Sequence, residues 1–241
     1  MLNFFLPLHQ NYKLPITFFR AFCIPIVLLL SVQVKADFSA KAEISTDRIF
    51  RGVSQIESGL APSATLAYQS EFGAYLGVSL AKNDFRIPED SLEQLYFLGY
   101  HRELNNDIGL DISYLRYQFD DLSNGPNRNW NELHLRLQFT PSTALLLISS
   151  DSWLRNQESQ QIEISHLRGV TEKTRLHMSA GVVIPSGQSL ENYHYAEIGL
   201  IYGINANIYL RGDLSLTDDV ARDLFNSQAD NTVRVSLGYL F

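Results

Sequence analysis

From residue 37 to residue 241, apolar and polar side chains alternate in segments of about ten residues, and this period of two restricts the chain to strands with one apolar face. The last segment shows it most plainly. Val233, Val235, Leu237, Tyr239 and Phe241 share one parity, and Arg234, Ser236, Gly238 and Leu240 the other. Twelve such strands are predicted, at 38–50, 60–70, 73–82, 92–102, 107–119, 130–140, 143–152, 157–168, 174–184, 192–203, 205–217 and 231–241. About ten residues is the length a tilted strand needs to cross a bilayer, and it is long for a globular strand. No stretch after residue 36 is apolar for the roughly 20 residues that a helical span takes.

The connections alternate in length. GVSQIESGL follows the first strand and a tight turn at Glu71-Phe72-Gly73 the second. Then come KNDFRIPEDS, the turn ELNND, DDLSNGPNRN and the turn Thr140-Pro141-Ser142. The second half repeats the order more weakly: a short link near Arg155, the turn GVTEK, PSGQSLE, the turn at Gly203-Ile204, and DDVARDLFNSQAD. Long loops on one side and tight turns on the other imply an all-β, antiparallel up-and-down transmembrane barrel rather than a soluble sandwich. An even strand count puts both termini on the turn side.

Parity sorts the side chains. The lipid-facing set includes Ala40, Ala42, Ile44, Leu66, Leu76, Leu80, Leu133, Leu135, Leu137, Met178, Ile198, Leu200, Leu210 and Leu214. On the same face, at the turn-side ends, lie Tyr68, Tyr100, Phe139, Tyr202, Tyr239 and Phe241. Aromatics at one common depth form an interfacial girdle. In a barrel the last strand pairs with the first, so the strand that stops on Phe241 has no free edge. Tyr239 and Phe241 are the expected signal for the machinery that inserts such barrels.

Residues 1–36 are expected to be a cleaved signal peptide. Sparse positive charge precedes the apolar run AFCIPIVLLLSV, and VKA closes it before Asp37. The only cysteine, Cys23, leaves with this segment, so 37–241 needs no thiol chemistry. The leader carries Lys13, Arg20 and Lys35 and no acid, and its loss makes a chain of net charge −7 more acidic still. That argues against nucleic acid as a partner. The implied location is the bacterial outer membrane, with lipid and lipopolysaccharide around the barrel.

The segment FSAKAEISTDRIFRGVSQ resembles the opening of the TorF-type porin family of proteobacterial outer-membrane proteins. Ser45-Thr46-Asp47 and Phe50-Arg51-Gly52-Val53-Ser54-Gln55 match its pattern, while Arg48 stands where an aromatic is usual. Glu93 with Gly99-Tyr100, Asp111 with Tyr114 and Tyr117, Asn131-Glu132 and Ala229-Asp230 resemble it in order. The resemblance implies a barrel that admits small solutes.

The opposite parity faces the lumen. It places Lys41, Glu43, Asp47 and Arg51 on strand one, then Glu93, Asp111, Glu132, Arg136, Glu163, Glu197, Arg211, Asp213 and Arg234 around the wall. Charges of both signs line an aqueous pore or pair across strands to fill it. Glu43, Glu93, Asp111, Glu132, Glu163, Glu197 and Asp213 outnumber the mid-wall bases Lys41, Arg136, Arg211 and Arg234, which favours cations or zwitterions. Asp47 and Arg51 are the expected functional pair, or else a brace for the first loop. No catalytic residues, metal site or cofactor are expected: His194 at the rim has no serine partner implied by spacing, and no zinc-ligand spacing occurs. The loop acids Asp84, Glu89, Asp90, Asp120, Asp121, Asp218 and Asp219 read as solvated, or else as holding divalent cations or bridging lipopolysaccharide. Two functions stay open, a diffusion channel for small polar solutes and a plugged structural or surface-interaction barrel.

Overall fold

The computed structural model describes residues 37–84, 92–119, 129–139, 143–154, 157–187 and 190–241. The expected leader at 1–36, Glu89, Asp90, Asp120, Asp121 and the turn at 140–142 lie outside the described residues.

Chain order gives β1 (Asp37–Ser45), β2 (Ile49–Phe50), β3 (Val53–Ser54), β4 (Ala61–Gln69), β5 (Ala74–Lys82), β6 (Leu92–Glu103) and β7 (Ile108–Phe119). It continues with β8 (Trp130–Phe139), β9 (Thr143–Leu154), β10 (Gln157–Gly169), β11 (Thr174–Pro185), β12 (Tyr193–Gly203) and β13 (Ile208–Thr217). A helix α1 (Asp219–Phe225) and a 3-10 turn (Asn226–Ala229) precede β14 (Thr232–Leu240). All strands except β2 and β3 form one closed antiparallel barrel of twelve. β1 closes it by pairing with both β4 (Lys41 opposite Thr65) and β14 (Lys41 opposite Leu240). The Phe241 N–H donates to Ala40 O at 2.9 Å, so the seam carries no open edge.

Local chemistry sets the turn side. Asn105 Oδ1 accepts from the N–H groups of Asp107 and Ile108, and Asn205 Oδ1 does the same for Asn207 and Ile208, all at 2.8–2.9 Å. Thr171 Oγ1 serves Lys173 and Thr174 likewise. Asn and Thr side chains that mimic a backbone acceptor hold such turns tight.

The outer face carries a belt of exposed aliphatics, among them Leu66, Leu76, Leu98, Leu133, Ile164, Leu200 and Leu237. In water so much exposed apolar surface is untenable for a monomer; in lipid it is the required solvent contact. Tyr100, Phe139, Tyr202, Tyr239 and Phe241 are exposed at the turn-side rim, where the Tyr239 and Phe241 rings meet at 4.5 Å. No helix among the described residues is long and apolar enough to cross a membrane. The strands do the crossing.

The first strand differs most from its predicted extent. The first was expected to run to Phe50, carrying Asp47 and Arg51 on its wall, but β1 ends at Ser45. Asp47 Oδ1 accepts from the Arg48 N–H at 2.6 Å and from Ser54 Oγ at 2.7 Å, which turns the chain inward. Residues 49–54 then form their own two-stranded hairpin. In β9, where consecutive apolar residues leave no alternation to read, Ala144, Ile148 and Ser150 are the buried, inward set.

Candidate functional site

The lumen has two levels, and the inward hairpin makes the difference between them. Its tip is Arg51 (φ 55°) and Gly52 (φ 80°), both left-handed, which makes a two-residue turn whose twist matches the flanking strands. A Cβ on Gly52 would lie 2.5 Å from Thr217 Cγ2 and 2.7 Å from Tyr195 Cβ, so the tip is pressed against β12 and β13. Arginine rarely occupies this backbone region. Here its guanidinium is anchored: Nη2 donates to Glu132 Oε1 on β8 at 2.6 Å, and the group lies over the Phe50 ring, 4.4 Å from its centroid.

Glu132 is the most enclosed acid of the wall. It also accepts from Trp130 Nε1 at 3.2 Å, and His134 Nε2 lies 2.8 Å from its other oxygen. Phe50 packs on Tyr117 and Trp130, which stack on each other at 4.4 Å. A second arginine of the hairpin, Arg48, makes a two-pronged pair with Glu93 on β6, its Nη1 at 2.8 Å from Oε2. Across the mouth, Val53 is fully buried and β3 packs on the 3-10 turn that follows α1. Asn83 Nδ2 donates to Gln55 Oε1 and to Glu93 Oε2.

The loop 218–231 was expected to be irregular, with Asp218 and Asp219 solvated; Asp219 is exposed as expected. Asp218 instead caps α1, accepting from the Ala221 N–H at 2.9 Å, and also holds the N–H and Nδ1 of His194. Partial burial pushes Asp218 up, but these hydrogen bonds outweigh it and hold the carboxyl below its usual range. The cap docks Ala221 and Phe225 inward, with Phe225 edge-on to the buried Tyr193 at 5.6 Å. Asp84, also expected to be solvated, is buried and accepts from the Glu57 N–H at 2.5 Å. The rim residue His194 is thus engaged in a cap.

Below the hairpin the wall is charged and for the most part partly exposed. Lys41 pairs with Glu43 at 2.8 Å. Arg211 reaches Glu197 at 2.5 Å and Asp213 at 2.8 Å, and Arg234 reaches the same two acids at 3.2 and 2.7 Å. His177 joins them, 3.5 Å from Glu197. The ligand atoms of His177, Glu197 and Asp213 lie within 4.8 Å of one another, but both acids are already matched by arginines, so the cluster is an ion-pair network. Asp111 stands opposite Arg136 in the β7–β8 register.

Three tyrosines that the sequence reading did not single out organise this level. Tyr75 lies over Gly99, its cross-strand partner, and its hydroxyl donates to Asp111 at 2.8 Å on the strand beyond. Tyr195 lies over Gly181 and donates to Glu163 at 2.6 Å. Tyr209 lies over Gly238 and donates to Glu43. In each case a Cβ on the glycine would overlap the ring. The rings therefore lie flat along the wall instead of standing into the lumen, and each fixes one of the predicted acids. Periodicity marks these tyrosines and glycines as inward, and the register shows which of them face each other.

The chain's relatives fit this geometry. A family model described as "Bacterial protein of unknown function (Gcw_chp)" matches residues 33–183. No curated protein matches the chain. Among solved structures, the KdgM porin is similar with a TM-score of 0.54 at 10% identity, over 84% of this chain and 98% of that one. The same porin in complex with disordered oligogalacturonate gives 0.52 at 10% identity, over 86% and 98%. The COG4313 outer membrane channel from Pseudomonas putida F1 gives 0.50 at 12% identity, over 90% and 98%. At these identities the likeness concerns the barrel fold.

Proposed function

The chain belongs to the Gcw_chp family, and from that premise we propose that it is an outer-membrane channel for small polar solutes, in line with its resemblance to TorF-type porins. One observation carries the reading: most charged side chains of the wall below the hairpin keep partial exposure, although Asp213 is buried. The side chains of Lys41 and Glu43 are each 18% exposed and that of Arg211 21%, whereas Glu132 at hairpin level is 0% exposed. The flattened tyrosines lie along the wall rather than across that lower lumen, which leaves charges of both signs facing its interior.

The charge balance narrows the solute class. Arg48 and Arg51 join Lys41, Arg136, Arg211 and Arg234, while Asp47 joins the seven acids, so inward acids exceed inward bases only slightly. A lumen for a polyanion such as oligogalacturonate needs an excess of bases, so that ligand is not carried over from the similar porin. Uncharged or zwitterionic solutes suit a nearly neutral, paired wall. No catalytic role is assigned. Outer-membrane lipid and lipopolysaccharide meet the apolar belt, and Tyr239 with Phe241 offers the aromatic pair that insertion machinery reads.

The packed hairpin level favours the second reading, a plugged barrel. Proteoliposome swelling separates the two. Folded protein should admit a small zwitterion or monosaccharide faster than protein-free vesicles do. Equal rates in protein shown to be folded would sink the channel.

A further inference from the structure

The hairpin of residues 46–57 touches the wall on nearly opposite sides. Arg48 holds β6, Arg51 holds β8, Gly52 abuts β12 and β13, Gln55 meets Asn83 beyond β5, and β3 lies against the 3-10 turn. The wall residues at this level, Tyr117, Ser150, Ser159, Val183 and Tyr193, are all buried. A hairpin bound on all these sides crosses the mouth rather than lining it.

Its roots are placed for movement. Ser45 and Ala61, from which the loop departs and to which it returns, are register partners in the β1–β4 ladder. That ladder closes beneath the hairpin, so the whole loop can leave without breaking a β1–β4 hydrogen bond. The backbone ties above it are few: Thr46 N–H to Val235 O at 2.9 Å, and Asp84 N–H to Gln55 O at 3.0 Å. What holds the loop in place is mostly side-chain chemistry: the buried Arg48–Glu93 and Arg51–Glu132 pairs, the fit of Gly52, and the contacts of Asn83 with Gln55 and Asp84 with Glu57 on the returning leg.

We propose that this hairpin is the seal of the loop-side mouth, that Arg51–Glu132 and Arg48–Glu93 latch it, and that solutes pass only when it swings out of the barrel. Arg51 and Glu132 are positioning residues: they govern how often the mouth is open, while the lower wall governs what passes. The proposal rests on the channel reading above.

With Cys23 in the expected leader, the barrel lacks cysteine, so Val53→Cys supplies a single thiol at a fully buried point of the hairpin. The probe is a sulfonated maleimide on refolded, heat-modifiable protein, with single-channel current measured in parallel. Arg51→Ala should raise the labelling rate about a hundredfold, the change in open population that loss of a buried ion pair gives. Gly52→Ala leaves both ion pairs in place but overlaps Thr217 and Tyr195, and should raise it about tenfold. Both should raise the open fraction in the same order. A thiol already reactive in the otherwise unaltered barrel, or protected in both folded variants, overturns the seal and leaves the channel reading standing. Labelling that rises with no ion passage in any variant overturns the channel reading, and the seal with it.

Discussion

Glu132→Gln tests the buried latch by stability. The Glu132 side chain is 0% exposed and that of Arg51 4%, and the carboxylate also takes the Trp130 indole N–H. An amide keeps the shape but leaves a buried guanidinium without its counter-charge. Removing one partner of such a pair costs about 3–5 kcal/mol. That figure is an upper bound here, because the hairpin can leave the wall and carry Arg51 to water. The control is Asp219→Ala, which breaks a pair whose acid is 90% exposed and should be near neutral. Urea unfolding of the refolded barrel, followed by tryptophan fluorescence, reads both. Adding Arg51→Met to Glu132→Gln should recover part of the loss, since the stranded charge is then gone. A Glu132→Gln loss no larger than the Asp219→Ala control, with Trp130 emission unchanged, would show that the latch contributes nothing.

Three further outcomes follow from the same geometry. Because Arg48 and Arg51 nearly balance the wall, reversal potentials under a salt gradient should show only weak cation preference, and Asp111→Asn with Glu163→Gln should move it toward anions; strong wild-type anion selectivity contradicts the wall as described. Leu200→Arg on the exposed belt should cost about 2–4 kcal/mol in refolding titrations, whereas an arginine at the inward Ser79 should cost far less, and equal costs would reverse the parity. Asp218 is held below its ordinary value in the fold, so its contribution is present above the unfolded carboxyl pKa and is lost as pH falls through the depressed one; hydrogen exchange at Ala221 should accelerate in acid, and Asp218→Ala should show the fast rate at all pH values.

The barrel was legible because lipid imposes its pattern on every strand. An outward residue must be apolar, an inward one is free to be polar, and a strand must span a fixed thickness. Predicted strands such as 92–102 and 174–184 therefore fall within a residue of β6 and β11 at each end. The same rule put the wall acids and bases on the lumen face. The hairpin was hidden because Phe50 keeps the even parity of Ala42 and Ile44, so residues 38–50 read as one strand. Its turn, Arg-Gly, lacks the Asn, Asp or Gly usually found first in such turns, and only the tertiary pair with Glu132 pins Arg51 there. The tyrosine-over-glycine contacts needed the register, which periodicity alone does not fix. The inward helix was masked by its length: α1 has seven residues, too few for a helical period to stand out.

Single-channel recording on the barrel with residues 47–57 replaced by a short Gly-Ser link addresses the lumen itself. The ladder of β1 and β4 ends beneath the deletion, at Ser45 opposite Ala61, so the barrel should fold and migrate as a heat-modifiable species. With the hairpin gone, the water-accessible charged wall should conduct in steady steps larger and longer-lived than those of the full chain. A folded, hairpin-free barrel that passes no current would mean that the lower lumen is closed as well, and that this protein is not a channel.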